Sequence, residues 1–211
     1  MLIKLSELFN RHFRENFFIY FVSILSLMIG VSVGAITIKI LNTNQKHELI
    51  SFLDSFFKVL NESSISSLDL LKQSLFNNLQ TVLLIWILGI IVIGIPVIIG
   101  VLIMRGFVIG FTVGFLIEGF GFKGFLFAIF AVLPQNIFII PSILIISVIA
   151  FKFSIVIIKN KIKKAPRYNF MNRVSKYSIS ILMISSLMVI GSIVEAYITP
   201  IFMRLISSYI S

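Results

Sequence analysis

The sequence predicts an all-α fold, a polytopic integral membrane protein with five transmembrane helices in a single domain and an amphipathic helical pair in its first extracytoplasmic loop. Three observations carry this. The chain of 211 residues is 58% hydrophobic and 12% charged, with a mean hydropathy of +1.09, far too apolar for a soluble domain of its size. Its apolar residues gather in runs long enough to cross a hydrocarbon core. Its basic residues collect at the borders of those runs, above all in Lys152, Lys159, Lys161, Lys163, Lys164, Arg167, Arg173 and Lys176, a stretch with no acidic residue.

That stretch should be a basic cytoplasmic loop, 152–177, because short loops rich in Lys and Arg stay inside. The formal charge of +10 then follows from topology, and nucleic acid is not an expected partner. The chain has no cysteine, and His12 and His47 lie outside the apolar runs, so neither a metal, a cofactor nor a cysteine- or histidine-based active site is expected.

In order along the chain, Leu2, Leu5, Leu8, Phe9 and Phe13 suggest an amphipathic helix on the bilayer surface. The first span is expected at about 17–38. It is too long for a signal peptide's apolar segment and no cleavage pattern follows, so it is read as retained; Gly30 and Gly34 offer it a packing face. The stretch 39–80 is polar and its charges balance. Leu49, Ile50, Leu53, Phe56, Phe57 and Leu60 define one amphipathic helix there, and Ile65, Leu68, Leu71, Leu75, Phe76 and Leu79 a second, started by a Ser66/Asp69 capping box. The pair either rests on the bilayer or presents Glu48, Asp54, Lys58 and Glu62 as a platform for another protein. The second span is expected at about 81–104 with Trp86 as a membrane-belt anchor near its start, the third at about 106–120, the fourth at about 125–151 and the last at about 178–199. Five spans put the amino terminus in the cytoplasm and the carboxyl terminus outside.

The stretch from Arg105 to Pro141 organises the rest. Gly106, Gly110 and Gly114 recur at intervals of four and form a helix face that another backbone can approach closely, from this chain or from a second copy. After a glycine-rich turn, Pro134, Gln135, Asn136 and Pro141 interrupt an apolar run; the prolines bend or break the helix, and the amides need hydrogen bonds to neighbouring helices or to a permeant. Arg105, Glu118 and Glu195 are the charged residues at the membrane borders. They either snorkel to the headgroups or form a functional pair. No span contains histidine or aspartate, and no nucleophile with a base is visible, so the chain is not expected to be an enzyme.

Three motifs, RGFVIGFTVGF at 105–115, LPQNIFIIP at 133–141 and EAYITP at 195–200, occur in the order found in the stage II sporulation protein M family, and the chain resembles that family over nearly its whole length. The resemblance implies a non-enzymatic scaffold in the cell membrane, at the septal and engulfing membrane of the mother cell. There it would recruit peptidoglycan hydrolases resembling the stage II sporulation D and P proteins for septal wall remodelling and forespore engulfment. The rival is a small transporter or channel subunit with its site at the broken fourth helix.

Overall fold

Inside a bilayer every backbone polar group needs a partner within the protein, and this chain meets that demand with helix. The computed structural model describes residues 13–62, 66–91, 93–162 and 170–203. They form α1 (Phe17–Ile40), α2 (Thr43–Glu62), α3 (Ser67–Ile90), α4 (Gly94–Ile162) and α5 (Phe170–Ile193), the last continued by a π-helical turn at Val194–Ile198. Among the described residues there is no strand. α1, α3, α4 and the run Phe170–Met203 are four helices long and apolar enough to cross a membrane. The amino-terminal amphipathic helix, most of the basic loop and the chain after Met203 lie outside the described residues.

α4 is two helices in one. Gly121 takes φ 58° and ψ −130°, in the left-handed half of conformational space that a side chain disfavours. The chain folds back there: a Cβ on Gly124 would strike the Leu116 carbonyl, and Leu116 packs with Phe127, Ala128 and Ala131. Farther along, Ile98 and Leu102 share a core with Ile139, Ile143 and Ile146. The first arm, 94–120, and the second, 122–162, are therefore antiparallel.

Several expected boundaries move. The helix expected at 81–104 ends at Ile90, and the next one starts at Gly94, so the break between the second and third apolar helices is not at Arg105. Pro96 marks the true start, since a proline in the first helical turn gives up an N–H that has no partner there anyway. α3 begins at Ser67, which makes the expected second amphipathic helix of the loop its first half. Only α2 remains as a separate loop helix. The Ser66 side chain makes no cap bond; its carbonyl receives the Asp69 N–H at 2.9 Å instead, and no capping box forms. The second arm stays helical through Pro134 and Pro141, so the expected broken fourth helix is continuous.

α1 lies along the first arm, glycine face to glycine face. A Cβ on Gly30 would strike the Ile103 carbonyl, one on Gly34 the Phe107 carbonyl, and one on Gly106 or Gly110 the carbonyls of Leu27 or Val31; Gly114 meets Ala35. Leu27, Val31 and Ala35 meet Gly106, Gly110 and Gly114 in ascending order, so the two helices run parallel. The partner of the glycine face is thus within the chain.

At the basic end of the bundle Tyr177 donates to the Trp86 carbonyl at 2.9 Å and stacks on Phe153 at 4.2 Å, while Trp86 donates to Ser178 at 3.0 Å and Ser154 to the Gly89 carbonyl at 2.7 Å. Trp86 therefore sits at the end of its helix opposite to the one expected. Lys152 and Glu15 are 4.0 Å apart at this same end. At the Gly121 end, Lys46 of α2 pairs with Glu118 at 2.8 Å.

Candidate functional site

α3 places Ser74, Asn77, Asn78 and Thr81 at the i, i+3, i+4, i+7 spacing of a single helix face. In an apolar helix such a face must meet polar groups elsewhere in the protein. Arg105 is the chief one. It lies about 16 Å along the first arm from Gly94, close to the middle of a helix about 40 Å long. There its Nη2 donates to the Asn77 carbonyl at 3.1 Å and to the Thr81 hydroxyl. Arg105, expected at the boundary between two spans, is moved into the body of the arm by the helix break at Ile90–Gly94. A lone arginine at mid-bilayer costs about 2.5–3.5 kcal/mol, and these bonds offset part of that.

Glu195 comes to the same region from the π-helical turn after α5, and its carboxylate accepts from Ser74 at 2.6 Å. Asn78, buried, donates to Ser192 at 2.9 Å and reaches Ser74 at 3.5 Å. Arg105 and Glu195 make no direct ion pair with each other, unlike Lys46–Glu118, Lys72–Asp69 and Lys152–Glu15. Between them lies a cavity of about 800 Å³ bounded by α3, both arms of α4 and Glu195. Gln135 and Asn136 complete its polar wall.

The sequence candidates therefore separate. Arg105, Glu195, Gln135 and Asn136 come together. Glu118 does not join them, being held by Lys46 at the Gly121 end. Gln135 accepts from Thr199 at 3.2 Å, an interhelical bond of the expected kind, whereas Asn136 donates to the Val132 carbonyl of its own helix at 2.7 Å. Pro141 is exposed, and Gly106, Gly110 and Gly114 serve packing. Glu48 is exposed on α2; the side chains of Asp54, Lys58 and Glu62 lie outside the described residues. Among the described residues no three metal-ligating side chains gather. The residues missed are Ser74, Asn77, Asn78, Thr81 and Ser192. The signal of the four on α3 was their helical spacing, concealed because that helix is the least apolar of the four, and Ser192 on α5 had none.

No curated protein and no solved structure matches the chain. A family model does, described as stage II sporulation protein M and covering residues 23–200. The span includes all three motifs, the glycine-to-glycine helix pair and every polar residue of the cavity, and the chain belongs to the stage II sporulation protein M family.

Proposed function

We propose that this protein is a non-enzymatic scaffold that crosses the cell membrane five times, amino terminus inside, and holds peptidoglycan hydrolases at the outer face for septal wall remodelling and engulfment. Family membership supports the process. The observation that carries the mechanism is α2, an amphipathic helix whose side-chain bond to the bundle, among the described residues, is the Lys46–Glu118 ion pair. A helix tethered beside the Gly121 reversal, with Glu48, Ser51 and Ser55 exposed, offers that face to a partner. Confining a hydrolase there raises its effective concentration at the wall without altering its chemistry.

Crosslinking from α2 tests the proposal. A photoreactive residue at Glu48 or Ser51 should capture hydrolases resembling the stage II sporulation D or P proteins during sporulation, and one at Met183 on the exposed face of α5 should not. Equal capture from both positions, or from neither, removes α2 as the platform. The polar cavity favours a second reading, a small transporter or channel subunit, now centred on Arg105 rather than on a broken helix. Substrate flux into vesicles containing this protein alone supports that reading.

A further inference from the structure

The cavity is built for something that the scaffold role does not use. Arg105 and Glu195 face one space without touching, and each keeps unused hydrogen-bonding capacity. Among the described residues, Arg105 is engaged through Nη2 and not through Nη1 or Nε, and Glu195 through one carboxylate oxygen and not the other. The side-chain amides of Asn77 and Gln80 line the same cavity, are exposed, and bond to none of the described side chains. At mid-bilayer depth such groups need a polar partner.

The cavity's shape narrows the choice. It opens sideways past a row on the first arm, Gly100, Met104 and Val108: Met104 is 64% and Val108 57% exposed, and a Cβ on Gly100 would meet nothing. Its polar portion extends from Arg105 toward Glu195. Toward the basic end the walls are Leu84, Val97 and Ile143, so the polar path stops short of that side. The site is a recess open to the bilayer rather than a channel through it. About 800 Å³ falls in the roughly 300–1,000 Å³ range of small-ligand sites, and a transmembrane helix of about 20 residues would not fit.

We propose that this recess binds the headgroup of a zwitterionic phospholipid bearing a primary ammonium, its phosphate on Arg105 and its ammonium on Glu195, with the acyl chains leaving past Met104 and Val108. The guanidinium N–H groups left over donate to phosphate, and the Glu195 carboxylate, with the amide oxygens of Asn77 and Gln80 in the same cavity, takes up ammonium hydrogens. Opposite charges in the recess match opposite charges in one headgroup, and the complex adds no net charge to the membrane interior.

The full-length protein in nanodiscs tests this. Phosphatidylethanolamine should raise the unfolding midpoint by roughly 3 °C over phosphatidylcholine alone, since only the former has ammonium N–H donors. Phosphatidylglycerol should give a smaller rise, and Arg105→Gln and Glu195→Gln should each abolish the difference. Should either variant fail to fold, photoactivatable phosphatidylethanolamine on the unaltered protein decides, with crosslinks expected on the peptide from Gly100 to Val108. Equal midpoints in the two lipids, or crosslinks spread evenly over the lipid-facing surface, overturn the proposal. So does an equal rise from soluble phosphorylethanolamine in phosphatidylcholine discs, which would make the ligand a free solute, or a copurifying protein helix that blocks the crosslink.

Discussion

Gly110 and Gly100 lie ten residues apart on one helix and should respond differently to an added side chain. Gly110 presses on the Val31 backbone, so Gly110→Leu must separate α1 from the first arm, and overpacking of that kind costs about 1–3 kcal/mol. Gly100 faces open space, so Gly100→Ala should lower neither accumulation nor thermal stability and should add up to about 1 kcal/mol of helix propensity. Val108→Leu, on an exposed face, is a second neutral control when melting is read in phosphatidylcholine alone. If Gly110→Leu accumulates and melts like the controls, the helices are not in backbone contact. The glycine face itself was legible, because intervals of four have one structural use in an apolar helix. Its partner was not, since Gly30 and Gly34 are a weak motif alone and gain meaning only when two carbonyls of each helix are seen against the glycines of the other. Arg105 was misplaced for a different reason. Positive charge ordinarily marks the inner border, and nothing local distinguishes a border arginine from one whose partners, Asn77 and Thr81, sit on another helix.

α3 shows how one helix was divided in two by its own chemistry. Polar Asn77, Asn78 and Gln80 read as loop, yet they fall inside a single helix whose first half serves the cavity and whose second half serves the core. Hydrogen exchange on the reconstituted protein should protect the amides from Leu71 to Leu79 to within about tenfold of those from Val82 to Leu88. Exchange of the first group at the rate of α2 would restore the surface helix and remove the cavity's wall. The second arm invites the reverse test. Because it is helical through both prolines, Pro134→Ala with Pro141→Ala returns N–H groups that the helix can use, and the double variant should be neutral or more stable by up to about 3 kcal/mol. A large loss of hydrolase recruitment at matched protein levels would show that the prolines set a bend on which the outer surface depends. Proline spacing alone overstated the break, because neighbouring helices can satisfy the carbonyls that proline leaves free.

For the molecule as a whole, the orientation proposed from charge makes a prediction that the cysteine-free chain is suited to test. Cysteines replacing Ser63, Lys163 and Ser211, one at a time, should react with a membrane-impermeant thiol reagent in intact cells at Ser63 and Ser211 but not at Lys163. Labelling of Lys163→Cys would invert the topology, and with it the leaflet toward which Glu195 lies. Helical architecture, membrane residence and the reversal near Gly121 could all be read from runs of residues; the recess could not, because it exists only where three distant segments bring Thr81, Arg105 and Glu195 together. The parallel pairing of α1 with the first arm also bears on biosynthesis. The two contacting faces are about 80 residues apart in the chain, and at 5–20 residues per second the ribosome needs about 4–16 s to deliver the second after the first. For that interval α1 stands in the membrane with its glycine surface bare, shielded by lipid or by an insertase. Assembly of this protein therefore includes a waiting step during translation, and a slowed ribosome between Ile40 and Gly94 should lengthen it.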